Sequence, residues 1–384
     1  MINITDPSKC CGCSACAAVC PHDAIVMKGD ALGFPYPHVD KNQCVDCGLC
    51  DKVCVFVPDL SSRKPVPEDL KVQVNAARHS DPEVVASSQS GGAFTALSDL
   101  ILSEGGVIYG AAFDENHVVR HVRAASEEER AALRGSKYVQ SDLDGIFRAV
   151  KADLKAGSKV LFTGTPCQVA GLLSYIPKSL QENLLTVDFI CHGVPSPAVW
   201  KDYVEYMSRR GKVVKADFRD KGEGGWKVHK ESFIYENGKK KVGETYRILF
   251  YKNIMLRHSC SVCPYDVASH KADVTLADFW GADEAVPAMD GDAGTSMVIC
   301  NTGKGEKLFD KASETLQMAP AVLDYSFMLR RNPNLVRPAK IDKDRVRFEK
   351  EYASRGFLYA ARRWSDLGLR YRLWQLKRFI LGKK

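Results

Sequence analysis

No stretch of this 384-residue chain approaches the ~18 consecutive apolar residues that mark a membrane-spanning helix. The N-terminus, MINITDPSKCC, lacks both the basic start and the apolar core of a secretory signal. The expected compartment is therefore a reducing cytoplasm, where thiols serve as metal ligands rather than crosslinks. Neither G-x-G-x-x-G after a strand nor G-x-x-x-x-G-K-[ST] occurs, so a standard Rossmann or P-loop nucleotide site has no support. There is no low-complexity tract. A general basic surface is missing too: the formal charge is +7, but nine Lys/Arg and one acid fall between Arg355 and Lys384. That tail carries +8 and the rest of the chain sums to −1. Nucleic acid is thereby excluded as a partner of the body of the protein, and only a basic tail remains.

What the chain does have is cysteine, 14 in all. Cys10, Cys13, Cys16 and Cys20 read C-x2-C-x2-C-x3-C and are followed by proline; Cys44, Cys47, Cys50 and Cys54 repeat the spacing. Three thiolates on a short loop grip three corners of an iron–sulfur cube, and in two-cluster ferredoxins the fourth cysteine of each run serves the other cluster. On that rule Cys10, Cys13, Cys16 and Cys54 hold one 4Fe-4S cluster, and Cys44, Cys47, Cys50 and Cys20 hold the second. A pair of structural zinc sites is the competing reading, which two identical four-cysteine runs fit poorly.

Length suggests two or three domains. A ferredoxin-like block at residues 1–58 is followed by a Pro-, Ser- and charge-rich linker at 59–70. From Lys71 the pattern is mixed α/β. Strands are predicted at Val72–Ala77, Val107–Phe113, Val118–Ala124, Lys159–Thr163 and Leu184–Ile190. Helices are predicted at Ala93–Ser103, Leu143–Lys155, Pro166–Tyr175 and Ala198–Arg209. Further strand-like runs fall at Val213–Phe218, Val228–Tyr235, Thr245–Phe250, Val274–Ala277 and Thr295–Asn301. The alternation argues for one α/β domain with a mixed sheet over residues 71–340.

Five stretches in that domain carry chemistry. SSQSGGAFTAL turns through Gly91 and Gly92 into a helix whose N–H groups suit a pyrophosphate, with Ser90 and Thr95 as hydroxyl donors; an ordinary Ser-capped helix is the bland alternative. GSKYVQS offers Lys137, Tyr138, Gln140 and Ser141. In LFTGTPCQVAG a strand stops at Thr163, turns through Gly164 and Thr165, and enters a helix with Pro166 first and Gln168 in its opening turn. Loops of this kind are where open α/β sheets bind ligands. DFICHGVPS adds His192, a candidate proton donor. CSVCP, ahead of ADVTLADFWG, is a two-cysteine clip. Cys167 and Cys191 follow strands, so they can converge with Cys260 and Cys263 on a third 4Fe-4S cluster. The alternative leaves Cys167 out of the set and puts the clip on zinc. Cys300 reads as a buried small hydrophobe.

Taken together, SGGAFTAL, GSKYVQS, TGTPCQVAGL, DFICHGVPS, CSVCPY and ADVTLADFWG resemble the coenzyme F-420 hydrogenase/dehydrogenase beta-subunit family over residues 71 to about 282. Ala277 departs from the glycine of its GDFWG segment. The resemblance implies an FAD site with an iron–sulfur cluster in the α/β domain. It implies electron transfer between clusters, with a ferredoxin or partner subunit as redox partner, and a small organic substrate. That substrate is the deazaflavin coenzyme in some members and other compounds in relatives, some of which sit beside polysaccharide-modifying enzymes. The fold class expected is α+β: a bacterial-type ferredoxin domain, an α/β flavin-binding domain, then a basic amphipathic C-terminal helix at 341–384. In that last segment Phe357, Ala361, Trp364, Leu367, Tyr371 and Trp374 recur at helical steps, widened by Leu369, Leu373, Leu376 and Ile380 and flanked by Arg362, Arg363, Arg370, Arg372, Lys377 and Arg378. Such a helix suits peripheral contact with an anionic membrane surface, or packing on its own domain or on a partner subunit, with Gly368 as a break.

Overall fold

The doubled cysteine run folds into a doubled structure. In the computed structural model, which describes residues 1–369 together with Tyr371, Leu373 and Lys377, each run wraps a short helix, Ala15–Val19 and Leu49–Val53. Each helix starts from a left-handed residue, Ser14 (φ 63°) or Gly48 (φ 72°), and ends on an extended cysteine, Cys20 or Cys54. A hairpin of β1 (Ile25–Gly29) and β2 (Pro35–Val39) lies between them, with Ile25 opposite Val39.

The rest is organised on an eight-stranded mixed sheet. Its members are β3 (Lys71–His79), β4 (Val107–Phe113), β5 (Val119–Ala124), β6 (Val160–Thr163), β7 (Leu184–Phe189), β11 (Val274–Asp278), β12 (Ser296–Cys300) and β13 (Leu316–Asp324). They lie side by side in the order β13-β3-β12-β11-β7-β6-β4-β5. Neighbours β4, β6, β7 and β11 run parallel, so their carboxyl ends share one edge. Residues of β4 and β6 are buried almost without interruption, as parallel strands covered on both faces require, while β7 and β11 open toward their carboxyl ends. Helices Ala93–Ser103, Ile146–Lys155 and Pro166–Tyr175 cover the faces. A small sheet is built from β8 (Val213–Asp217), β9 (Glu231–Tyr235) and β10 (Lys240–Gly243), with β9 in the middle. It packs with helices Pro197–Ser208 and Lys343–Trp364 around Trp200, Tyr203 and Phe233.

Several expectations need correction. Thr245–Phe250, expected as a strand, lies in a helix, Thr245–Tyr251. Its aromatic and branched residues suggest a strand, but Tyr246, Leu249 and Phe250 are buried at helical spacing. The buried carboxylate of Glu231 accepts the Tyr246 and Arg247 N–H groups at 2.9 and 3.2 Å, capping the helix from another element. Edge strand β13 was not expected at all. Residues 59–70 are not a free linker: helix Phe56–Ser62 runs across the boundary, Asp59 accepts from Tyr265 Oη at 3.0 Å, and Val66 is buried.

In the C-terminal segment, helix Lys343–Trp364 kinks at Gly356 (φ 74°). Phe357 and Ala361, placed on the face offered to a membrane, are buried against this chain's own core. The Phe357 ring lies 5.9 Å from that of Tyr203. Arg370, Arg372, Trp374, Leu376, Arg378 and Ile380 lie outside the described residues. Among the described residues, no helix is long and apolar enough to cross a membrane.

Candidate functional site

In the N-terminal block, Cys20, Cys44, Cys47 and Cys50 line one small cavity. Cys10, Cys13, Cys16 and Cys54 form the other group. Burial pushes the Cys16 thiol well up, and Cys13, Cys10 and Cys54 add to the shift in that order. The extended ends of the two short helices produce this exchange, because each carries its fourth cysteine away from its own run. Cys11, the spare, is buried and packs in one cluster with Cys13 and Cys167.

Cys167 stands in the first turn of helix Pro166–Tyr175, which a reciprocal capping box of Thr165 and Gln168 starts. Cys191 follows β7, and Cys260 and Cys263 belong to the 3-10 turn His258–Val262 and its end. These four thiols come from three separate segments yet lie close enough to repel one another. Burial pushes Cys191 well above the usual thiol range, and Cys260, Cys167 and Cys263 push it further. Burial also lifts Cys260 to about 11. Val194 N–H points at Cys260 Sγ at 3.4 Å. Burial keeps Cys191, Cys260 and Cys263 protonated on their own, whereas the neighbouring Cys11 draws Cys167 down to about 7; a metal centre would hold all four as thiolates, which is how a tetrathiolate cluster site behaves. Among the described residues, no three His, Cys, Asp or Glu side chains close on a single metal-ion-sized point.

Glycine explains how the two cysteine regions meet. A Cβ on Gly171 would stand 2.7 Å from Cys13 Sγ, so the helix whose first turn holds Cys167 lies directly on the first cysteine loop. Gln140, expected at a flavin, is here instead: its Nε2 donates to the Cys11 carbonyl at 3.2 Å and its Oε1 accepts from Arg257 at 3.0 Å.

At the carboxyl edge of β6, β7 and β11 a cleft of about 580 Å³ opens. Its volume lies within the ~300–1,000 Å³ of small-molecule and cofactor sites. Ser90, Gly92, Lys137, Tyr138, Ser141, Thr163, Gly164, Thr165, Gln168 and Cys191 all line it. Helix Ala93–Ser103 starts there from Gly92 (φ 88°) with no side-chain cap, leaving its opening N–H groups toward the cleft. Lys137 is pushed down to about 7 by burial, while its ammonium donates to the Ala132 and Arg134 carbonyls.

Gly91, Thr95 and Pro166 are not among the lining residues. A Cβ on Gly91 would lie 2.2 Å from the Ala77 carbonyl, so this glycine serves sheet packing rather than a phosphate. Thr95 is buried, its hydroxyl without a hydrogen-bond partner among the described residues. Pro166 only opens its helix. His192 lines the cleft, but both ring nitrogens are engaged, by Asn253 Oδ1 at 2.6 Å and Asn334 Oδ1 at 3.1 Å. It is tethered there, with no nitrogen free to donate a proton.

The cleft also holds residues that no motif announces. His121, on β5, hydrogen-bonds through Nε2 to the Thr163 carbonyl at 2.8 Å. Its Nδ1 is buried without a partner among the described residues, and burial pushes the ring down to about 4. His229, Tyr251 and Trp280 form the far wall. Trp280 stacks at 4.6 Å on Trp226, and Arg219 pairs with Asp278 beside them. Trp280 and Asp278 come from ADVTLADFWG, and tertiary packing brings His229, Tyr251, Trp226 and Arg219, which no motif announces, to them.

Residues 157–322 match the family model that describes the C terminus of the coenzyme F420 hydrogenase/dehydrogenase beta subunit. These residues, fewer than half of the chain, are similar to that family. Residues 9–56 match the 4Fe-4S dicluster domain, so the chain carries an iron–sulfur ferredoxin-like module in front. The family match takes in TGTPC, DFICHGVPS, CSVCPY and ADVTLADFWG and continues past residue 282, whereas SGGAFTAL and GSKYVQS lie ahead of it. One of the subunits of the F(420)H(2) dehydrogenase of Methanosarcina mazei is 23% identical over 324 residues, 80% of this chain and 84% of that protein. An uncharacterized protein of Methanocaldococcus jannaschii is 25% identical over 354 residues, 80% of this chain and 88% of its own. A chain of the F420-reducing [NiFe] hydrogenase complex from Methanosarcina barkeri superposes with a TM-score of 0.48 at 21% identity, covering 77% of this chain and 91% of that one. The two matched models make this an iron–sulfur chain whose residues 157–322 are similar to the F420 hydrogenase/dehydrogenase beta subunit.

Proposed function

We propose that the chain is an iron–sulfur flavoprotein oxidoreductase moving electrons between cysteine-bound clusters and an organic two-electron substrate at the cleft. One observation carries the reading. Cys191 lines the cleft, while Cys167, in the same set of four, packs with Cys11 and Cys13. Cysteines of the N-terminal block, the spare Cys11, and the set that includes Cys191 at the cleft wall therefore lie in one neighbourhood, which supports a route for electrons between them. In this reading Cys10, Cys13, Cys16 and Cys54 hold one 4Fe-4S cluster and Cys20, Cys44, Cys47 and Cys50 a second. Cys167, Cys191, Cys260 and Cys263 hold a third.

The cleft suits FAD. The uncapped helix start at Gly92 and Ala93 directs N–H groups and the positive end of its dipole at a pyrophosphate. Lys137 lies on the same side, and the unpartnered His121 Nδ1 offers an acceptor to a ring N–H or a hydroxyl. When bound, a flavin supplies the conversion between single electrons and a hydride. The protein's own part is to orient the ring on the Thr163–Gln168 loop, keep the cleft wall beside Cys191, and leave the aromatic side to the second substrate. That substrate is the deazaflavin coenzyme or another organic molecule, including one used in polysaccharide modification.

The relatives' names, which place them in dehydrogenase and hydrogenase complexes, favour a partner subunit and support a second reading: a relay that passes electrons to a partner enzyme. Anaerobic purification with iron, sulfide and flavin quantified on one sample tests both. Three clusters require about twelve irons, four per cubane, with one FAD. Stoichiometric zinc without labile sulfide overturns the iron–sulfur assignment. Clusters without flavin, and activity only beside a partner, leave the relay.

A further inference from the structure

Arg257 is fully buried, 0% exposed. Its three nitrogens all donate to neutral oxygens. Nε donates to the Cys10 carbonyl at 2.8 Å, Nη1 to Gln140 Oε1 at 3.0 Å and Nη2 to the Pro35 carbonyl at 3.0 Å. The guanidinium lies over the Tyr36 ring at 4.2 Å. Among the described residues no carboxylate pairs with it. Arg345, the other fully buried arginine of this region, does have one: Glu349 at 2.8 Å. A buried cation left without an anion is costly, and hydrogen bonds to carbonyls do not neutralise it.

Arg257 is wedged between the first and third cysteine groups. Its guanidinium holds the Cys10 carbonyl and would meet a Cβ on Gly12, in the same loop, at 2.8 Å, while its own carbonyl accepts from the Cys260 N–H at 3.1 Å. It touches both sides of the junction that Gln140, Cys11 and Gly171 form between the N-terminal block and the α/β domain. The second group, Cys20, Cys44, Cys47 and Cys50, lines its own cavity away from it.

We infer that Arg257 is a positioning residue which clamps the first cysteine loop onto the α/β domain and electrostatically favours the reduced state of the two clusters it separates. The inference rests on the cluster assignments proposed above. An electron arriving at either cluster adds one negative charge, which a nearby buried cation stabilises far more than water-screened charges would. The planar fork matters as well as the charge, since three acceptors in different segments are held at once.

The test is a redox titration of the anaerobic full-length protein followed by electron paramagnetic resonance, with iron counted on each sample. In Arg257→Gln, the reduced-to-oxidised ratio at a fixed poise should fall about tenfold for two clusters, ~59 mV for a one-electron couple. The cluster on Cys20, Cys44, Cys47 and Cys50 should not move. Arg257→Lys keeps the charge and should restore both potentials toward the parental values. Should Arg257→Gln lose iron, Gln140→Glu takes its place, setting a carboxylate against the intact guanidinium; the same two potentials should drop. Full iron with unmoved potentials in Arg257→Gln, or in Gln140→Glu where it is needed, overturns the assignment of Arg257 alone. Parental iron below eight per chain instead sinks the cluster reading, and this inference with it.

Discussion

Gly171→Ala puts the contact between the two cysteine regions under direct strain. The added Cβ would sit 2.7 Å from Cys13 Sγ and 2.8 Å from Cys13 Cβ, against an optimal separation of ~3.5–4.0 Å. Something must move by about 1 Å. The helix cannot easily yield, because its start is fixed by the Thr165–Gln168 capping box and its other face is buried at Val169 and Leu172. Displacement therefore falls on Cys13. A metal ligand tolerates only ~0.2 Å, so the first cluster should fail first. Global stability should change little: overpacking costs ~1–3 kcal/mol, while replacing a mid-helix glycine by alanine returns ~1 kcal/mol. The expected outcome is loss of about a third of the iron, four of about twelve on the cubane count, with the thermal melt nearly in place. Iron and sulfide analysis beside a melting curve reads both. A Gly171→Ala protein with full iron and parental resistance to bleaching in air would refute the reasoning.

Three further outcomes follow from other parts of the molecule. Cys191→Ala and Cys263→Ala should each remove about a third of the iron and slow reduction of bound flavin; if both variants stay fully loaded at the parental rate, the third site is wrong. Glu231, 1% exposed, has its carboxyl raised from 4.5 to about 7 by burial. The folded chain then keeps a proton the unfolded chain releases, so this stabilisation is whole below pH 4.5 and lost as pH rises through 7. The loss is ~3 kcal/mol at ~1.36 per unit; denaturant titrations across this range should show the slope in the parent and not in Glu231→Gln, and equal slopes would count against it. Removal of residues 370–384 takes away six Lys/Arg and no acid and leaves the buried Phe357 and Ala361 in place. If the tail meets anionic vesicles, salt-sensitive co-sedimentation should vanish with it, and unaltered sedimentation would rule the contact out.

Spacing and periodicity are local properties, and what they control was legible in the chain itself. The C-x2-C-x2-C-x3-C runs announced a ferredoxin-like module, since a short loop can place three thiols only in certain ways. The alternation of apolar strands and helices between residues 71 and 301 announced a mixed α/β sheet, and most elements lie within a few residues of where the pattern puts them. Turns after β6 and β7 marked the edge where the cleft opens. Tertiary structure decided what depends on distant partners. A carboxylate on β9 caps Thr245–Tyr251 and makes a helix of a sequence with strand character. Gln140 turned from the cleft to the Cys11 carbonyl, and two asparagines tied down His192. The apolar stripe at Phe357 and Ala361 reads the same whether it meets a membrane or a protein core, and only the presence of Tyr203 and its neighbours chose the core. Arg257 left no mark in the pattern, because an arginine's burial beside sulfur is a fact of three dimensions: it needs carbonyls at Cys10 and Pro35, more than two hundred residues away, to be brought to it.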